Sequence, residues 1–163
     1  MKKIGFIDYY LDEWHANNYP RFIKECTKGE FEVAYAYAKI DSPLNGMTNK
    51  EWAMKQNVEL LDTIEEVIDK SDVLIVLSPD NPEMHEELTD LPLKSGKPVY
   101  VDKTFAPDKE TAIRIFKNAE KHGTPCFSSS ALRFASELND IEKGEIYKIY
   151  SEGPGTYEIY SIH

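Results

Sequence analysis

Short apolar runs alternate with amphipathic stretches along most of the chain. Apolar or alternating residues predict six strands, at 3–7, 31–40, 58–61, 73–77, 99–101 and 125–129. The stretches between them repeat apolar residues every three or four positions, which is typical of helices. A run such as 73–77, apolar at every position, indicates a strand buried on both faces, as in a parallel sheet.

Turn and capping residues indicate where the helices begin and end. Pro20 predicts the start of the first helix, because proline is common at a first helical position, and Gly29 lies past its end. Thr48 predicts the cap of the second helix. Asp62 with Glu65 resembles a capping box for the third helix.

The later helices carry apolar residues at helical spacing. The second helix carries Trp52 and Met54. The fifth helix, 108–122, ends at Gly123 and is predicted to bury Ala112, Ile113, Phe116 and Ala119. Residues 131–143 are predicted to be helical and 145–150 to form a further strand.

The alternation of strands and helices predicts an α/β fold with a doubly wound parallel sheet. The expected strand order is 3-2-1-4-5-6, which reverses between the first and fourth strands. Ligands of such sheets bind beyond the carboxyl ends of the strands at this reversal, the switch point. The pattern covers 1–144, and 145–163 does not belong to it.

Two strand ends are predicted to face the same crevice. The strand 73–77 ends directly in Ser78-Pro79-Asp80-Asn81-Pro82, and the strand 99–101 ends in Asp102-Lys103-Thr104. A helical stretch connects the two strands, so they form a right-handed βαβ unit. Their carboxyl ends therefore lie at one edge of the sheet.

This segment resembles the glucose–fructose oxidoreductase / inositol dehydrogenase (Gfo/Idh/MocA) family. The resemblance rests on Asp72, Ser78-Pro79, His85, Gly96-Lys97-Pro98-Val99 and Asp102-Lys103-Thr104. The family pattern has an aspartate, an apolar strand, a Thr-Pro or Ser-Pro turn, a histidine, Gly-Lys-x-Val and Glu-Lys-Pro. Asp102 replaces the glutamate and Thr104 replaces the proline. The likeness continues to Ser128-Ser129-Ser130 and Arg133-Phe134.

The resemblance implies a Rossmann domain over 1–144 that binds NAD or NADP, in an oxidoreductase acting on a sugar or polyol. It implies that Lys103 orients and polarises the reacting hydroxyl. Residues 145–163 would lead into a second α+β domain, so the chain is expected to be part of something longer, with a stand-alone small protein as the alternative. His163 falls near the histidine of the family's Asp-x-x-x-His motif, but Ile159 takes the aspartate position.

The glycine-rich turn of dinucleotide folds is missing. Its three glycines correspond to Asp8, Tyr10 and Glu13, with Asp12 close by. Glycines permit a tight turn and the approach of a pyrophosphate to the helix N-terminus. Carboxylates repel a pyrophosphate, so the sequence predicts weak binding of NAD or NADP, or none. The alternative is a non-redox descendant that binds another small molecule or a divalent metal.

The same acidic turn raises the question of a cation site. Asp8, Asp12, Glu13 and His15, with His85 from across the switch point, are ligand types that suit a divalent metal. The favoured interpretation is a polar loop whose Tyr9, Tyr10 and Trp14 pack on the sheet edge, and no metal is predicted.

Further residues are candidates for cofactor contacts. Ser78, Pro79 and Asp80 could hold a nicotinamide ribose beside Asp102. Asp41 lies near the position that reads the ribose hydroxyls, and Lys39 could face a 2′-phosphate. Each candidate has an alternative interpretation. Asp41 and Lys39 could be ordinary residues at the end of a strand, and His85 could only cap or pack. Arg133 could pair with Glu137 rather than with an anionic ligand.

Charge and composition limit the classes of binding partner that are expected. The net charge is −10 without a basic run, which argues against nucleic acid. No stretch reaches membrane-spanning length or reads as a signal peptide, so a cytoplasmic protein with a small-molecule substrate is expected. A homo-oligomer is left open. Cys26 and Cys126 are predicted to be buried free thiols.

Overall fold

The computed structural model describes residues 1–44 and 46–136, together with 144, 147, 148 and 150. The chain divides into two compact units, 1–128 and 129–163. The described part of the second unit contains a short 3₁₀ helix, Ala131–Phe134. The remainder of the predicted helix, 137–143, and most of the predicted strand 145–150 lie outside the described residues. The domain boundary after residue 144 stays a prediction.

The first unit contains one parallel sheet. Its strands are β1 (Lys2–Asp8), β2 (Phe31–Ala38), β3 (Glu59–Leu60), β4 (Val73–Val76), β5 (Val99–Val101) and β6 (Cys126–Phe127). Their order across the sheet is β3-β2-β1-β4-β5-β6, and all pairs are parallel. The predicted fold class and strand order are confirmed.

Helices follow the strands as the alternation predicts. They are α1 (Trp14–Cys26), α2 (Asn49–Gln56), α3 (Ile64–Lys70), α4 (His85–Thr89) and α5 (Lys109–His122). Two 3₁₀ turns, Pro82–Met84 and Pro92–Lys94, lie on either side of α4. Every helix in this part of the chain is too short or too polar to cross a bilayer.

Two of the predicted helix ends are correct and one is displaced. Thr48 caps α2 in a capping box, and Gly123 ends α5 in the left-handed region, at φ 65°. The capping box predicted at Asp62 is wrong by one residue, because the Thr63 hydroxyl accepts the Glu66 N–H at 3.2 Å. The Glu66 carboxylate accepts the N–H of Asp62, the residue before the cap, at 3.1 Å rather than that of Thr63, so the reciprocal bond of a capping box is not formed.

The sheet has a separate apolar core on each face. Trp52 of α2 is fully buried on one face, beside Phe6 of β1, with ring centroids 6.5 Å apart. On the other face, Ile115 and Ala119 of α5 pack with Val99. Burial on both faces is what the continuous apolar runs of β1 and β4 predict.

Three predicted burials are wrong. Ile113 is 41% exposed and Phe116 48%, whereas Ala119 is buried as predicted. The buried residues of α5 are Thr111, Ile115 and Ala119, one per turn at a spacing of four. Cys26 is exposed at the end of α1, whereas Cys126 is half-buried, and burial raises the pKa of its thiol to about 11.

Candidate functional site

The carboxyl ends of three adjacent strands meet at the switch point. Ile7 of β1 pairs with Val76 of β4, and Val76 pairs with Val101 of β5. The next residues in the three strands, Asp8, Leu77-Ser78 and Asp102, therefore lie at one edge of the sheet. The sequence predicted this convergence for Ser78 and Asp102, and the strand register bears it out.

Asp8 is buried where the first glycine of a dinucleotide turn would stand. It is 1% exposed, and its Oδ1 accepts the Tyr9 N–H at 2.7 Å. The backbone N–H groups of Tyr9, Tyr10 and Ser78 face this carboxylate, and we call these three groups the turn cradle. Ser78 has a φ of 72°, which turns its backbone after β4. Asp8 Oδ2 has no hydrogen-bond partner of normal geometry among the described residues.

The charge state of Asp8 follows from its surroundings. Burial raises the pKa of Asp8 well above its usual value, and the nearby negative charge of Glu13 raises it further. The N–H groups of the turn cradle lower it, but they do not cancel the effect of burial. Asp8 and Glu13 are thus two buried acids that repel each other when both are charged.

Glu13 caps α1 with its side chain. The carboxylate accepts the His15 N–H at 2.6 Å and the Ala16 N–H, and we call these two N–H groups the helix cradle. Glu13 is only 7% exposed. The predicted helix start at Pro20 is wrong, because this cap begins α1 at Trp14 and leaves Pro20 inside the helix.

His15 joins the acidic turn to the end of β5. Its Nδ1 lies 3.2 Å from Glu13 Oε2 and 3.5 Å from Asp102 Oδ2. Burial by itself lowers the pKa of His15, but the hydrogen bond to Glu13 and the charge of Asp102 outweigh it, so the pKa is raised. When it is protonated, the ring compensates part of the negative charge of the two carboxylates.

Asp102 holds the backbone that presents Lys103. Its Oδ1 accepts the Lys103 N–H at 2.8 Å and the Tyr100 hydroxyl at 3.2 Å. Asp102 is 2% exposed, whereas Lys103 is half-buried. The arrangement fixes the main chain at the lysine, as a residue that must meet a substrate requires.

His85 lies inside the protein rather than in the crevice. It is fully buried, with Nδ1 2.9 Å from the Phe105 carbonyl oxygen and Nε2 close to the Leu77 carbonyl oxygen. These contacts connect the end of β4 to the loop after β5. A ligand contact would require the ring to leave both carbonyls. The cofactor contact of His85 therefore stays a prediction, whereas its packing inside the protein is observed.

The turn after β4 holds the remaining candidates of this edge. The Ser78 hydroxyl donates to the Asn81 carbonyl oxygen at 3.1 Å, which closes the turn around Pro79. Asp80 is exposed, and its Oδ2 accepts the Tyr10 hydroxyl at 3.4 Å. Tyr10 is 6% exposed, so a large side chain fills the second glycine position.

The two candidates near the end of β2 already have interaction partners within the chain. Lys39 Nζ forms an ion pair with Glu87 at the surface. Asp41 Oδ1 accepts the Asn49 N–H at 2.7 Å at the start of α2. Their predicted ribose and phosphate contacts would have to displace these partners.

Two candidates belong to the second unit or lie outside the described residues. Arg133 is an exposed residue of the second unit, where its N–H donates to the Ser130 carbonyl oxygen at 3.1 Å. His163 lies outside the described residues. Within 1–44 and 46–136, no group of three or more His, Cys, Asp or Glu side chains has the geometry to hold a metal ion.

Two tyrosines at the site are not among the residues predicted from the sequence. Tyr19 lies one helical turn after His15 with their rings 5.1 Å apart, and burial first, then the charge of Asp102, raises its pKa. Tyr100 stands two residues before Asp102 and donates its hydroxyl to it. The spacing of four on a helix and of two on a strand could have identified both.

Replacing Asp8 by asparagine is expected to stabilise the fold at neutral pH. A carboxyl whose pKa is raised on folding stabilises the fold most below its unfolded pKa of about 4, and this contribution is lost as pH rises through the folded pKa. The amide keeps an acceptor for the Tyr9 N–H without titrating. Urea unfolding from pH 4 to 9 should show a gain of about 1 kcal/mol or more at pH 7, since one pKa unit corresponds to about 1.4 kcal/mol. An Asp8→Asn variant that is less stable at pH 7, with the slope against pH unchanged, would contradict this assignment.

Comparison with known proteins agrees with the fold. The model of an oxidoreductase family with a NAD-binding Rossmann fold (GFO_IDH_MocA) matches residues 32–130. This range begins after the acidic turn and includes both motifs at the carboxyl ends of β4 and β5. No curated protein sequence matches the chain.

Solved structures of dehydrogenases share the architecture. A dehydrogenase (MviM) from Clostridium difficile has 20% identity and a TM-score of 0.59, over 78% of this chain and 39% of its own. A probable dehydrogenase from Thermotoga maritima has 18% identity and a TM-score of 0.66, over 84% and 38%. The WlbA dehydrogenase from Bordetella pertussis, solved with NADH and UDP-GlcNAcA, has 15% identity and a TM-score of 0.65, over 84% and 39%. The chain thus spans well under half the length of these proteins.

Proposed function

This chain belongs to the GFO_IDH_MocA oxidoreductase family with a NAD-binding Rossmann fold, and we propose that it functions in the NAD(P)-dependent oxidoreduction of a sugar or polyol. The observation that carries the proposal is the placement of Lys103. It follows β5 at the switch-point edge, with its backbone N–H held by the buried Asp102.

The chain's own residues support a proton-transfer role at this edge. Lys103 would orient a substrate hydroxyl and exchange a proton with it, and Asp102 would fix the main chain during the exchange. His15, which contacts Asp102 and Glu13, would compensate the negative charge behind the lysine. The cofactor, when bound, would supply the hydride acceptor.

The cofactor fits one half of the crevice and not the other. The turn after β4 leaves Pro79 and Asp80 accessible to a ribose, although Ser78 and Asp102 are buried. The turn at Asp8, Tyr10 and Glu13 does not suit a pyrophosphate, since buried side chains occupy all three glycine positions. No step is therefore derived through the cofactor.

The mismatch supports a second candidate function. A non-redox descendant of the fold would keep the crevice but bind a small molecule without a pyrophosphate. Glu13 favours this alternative, because its carboxylate takes the N–H groups that bind phosphate at other helix N-termini.

Thermal melts with NADH and NADPH distinguish the two functions. A ligand at 100 times its Kd stabilises a protein by about 2.7 kcal/mol, which corresponds to a rise in Tm of roughly 5 °C or more for a domain of this size. For the oxidoreductase we expect a smaller but saturable rise with millimolar NADH or NADPH, because the pyrophosphate lacks its usual anchor. The absence of any rise with either dinucleotide at about 10 mM would remove the redox function and favour the second candidate.

A further inference from the structure

Both anion-binding elements of the switch point already hold carboxylates of this chain. The turn cradle, formed by the N–H groups of Tyr9, Tyr10 and Ser78, receives Asp8. The helix cradle, formed by the N–H groups of His15 and Ala16, receives Glu13. In dinucleotide folds such N–H groups face the two phosphates of the ligand.

The two acids are held in place rather than free to swing aside. Asp8 is 1% exposed and Glu13 is 7% exposed, so both side chains lie under other groups. Glu13 makes three contacts through one carboxylate, to the N–H groups of His15 and Ala16 and to the His15 ring. A phosphate could enter the helix cradle only by displacing this carboxylate.

Charge adds to this steric obstacle. Asp8 Oδ2 is buried without a hydrogen-bond partner among the described residues, in the field of Glu13. Asp102 and Asp80 lie on the neighbouring strand ends, where His15 Nδ1 is 3.5 Å from Asp102 Oδ2 and Lys103 is close enough to affect the pKa of His15. The cradles therefore offer neither open N–H donors nor net positive charge to a dianionic group.

We propose that Asp8 and Glu13 are specificity-determining residues that exclude pyrophosphate from the switch point. A dinucleotide then binds with its pyrophosphate outside both cradles, and its affinity depends on the nicotinamide end. This inference rests on the proposed function, because it concerns the same crevice. It goes beyond that function by assigning the weak affinity to two resident carboxylates.

Calorimetric titration of the intact chain with inorganic pyrophosphate, and separately with NADH, tests the proposal. The Asp8→Gly/Glu13→Gly variant empties both cradles, and glycine is tolerated at a helix N-cap. We expect no measurable binding of pyrophosphate by the natural chain at about 1 mM. We expect an affinity gain of about tenfold or more for pyrophosphate in the variant, since a removed charge a few Å away changes binding by at least that factor.

Two further variants keep the experiment decisive. Asp8→Asn/Glu13→Gln retains the side-chain volume and the helix cap, and should gain less pyrophosphate affinity than the glycine pair. It also replaces the glycine pair if circular dichroism shows that the latter is unfolded. Glu65→Gln/Asp69→Asn replaces one glutamate and one aspartate on the exposed face of α3 by the same amides, and should not gain affinity for pyrophosphate.

The outcomes separate the inference from the proposed function. A gain for pyrophosphate in the cradle variants alone supports the inference. If NADH also binds more tightly, both stand. If NADH binds to no variant, the inference stands and the dinucleotide function fails. Tight pyrophosphate binding by the natural chain, no gain in the cradle variants, or an equal gain in the α3 variant would overturn the inference, even if NADH binds.

Discussion

For the proposed oxidoreductase, alanine at position 103 is expected to lower kcat by about 10²–10⁴-fold, the usual contribution of a general acid–base group. Lys103 is the cationic side chain presented directly after β5, and its backbone is fixed by Asp102 Oδ1. Loss of the amine removes the proton acceptor and leaves that main-chain hydrogen bond in place. The fold should therefore be retained, with an unchanged Tm.

The matched control is Lys117→Ala, which removes an exposed lysine from α5. Its kcat should equal that of the natural chain. Stopped-flow measurement of NADH formation at 340 nm gives the rate, and titration with NADH gives the dinucleotide affinity, which should change little in both variants. A Lys103→Ala enzyme with full kcat would exclude Lys103 from the mechanism.

Alanine at position 52 is expected to cost about 3–5 kcal/mol of unfolding free energy, as is typical for large aromatic residues in a core. Trp52 is fully buried and joins α2 to the sheet beside Phe6. Urea unfolding followed by circular dichroism would measure the loss.

Met54 provides the control on the same helix. It lies two residues further along α2 and is 75% exposed, so Met54→Ala should change the unfolding free energy by less than about 0.5 kcal/mol. Comparable losses at positions 52 and 54 would show that helix propensity, rather than burial of the indole, determines the stability of α2.

The strand order could be predicted because local signals agreed with each other. Continuous apolar runs, Thr48 at a helix start and Gly123 at a helix end each act within a few residues of the element that they define. Lys103 could be placed for the same reason, since its position after a predicted strand fixes the edge of the sheet on which it lies.

The start of α1 could not be predicted, because it depends on a side chain that rarely caps a helix. Glu13 is not among the favoured N-cap residues, and Pro20 is a good first residue, so local preference pointed six residues too late. Helical geometry still tolerates Pro20 inside α1, at the loss of one backbone hydrogen bond.

The cradles themselves also depend on distant residues. The Ser78 N–H reaches Asp8 only because β4 lies beside β1 and because Ser78 adopts a φ of 72°. The predicted burial of Ile113 and Phe116 in α5 is wrong for a related reason. Periodicity identified the helix, but the sheet's position selects the stripe of Thr111, Ile115 and Ala119 over that of Ile113 and Phe116.

The unequal environments of the two cysteines make the chain suitable for labelling at one site. Cys26 is exposed at the last residue of α1, whereas the half-buried Cys126 thiol, with its pKa raised to about 11, holds little reactive thiolate at neutral pH. A maleimide dye added briefly at pH 7 should therefore attach to Cys26. Since α1 begins at the helix cradle, the dye would lie at the opposite end of that helix, where it labels the chain without entering the cradle.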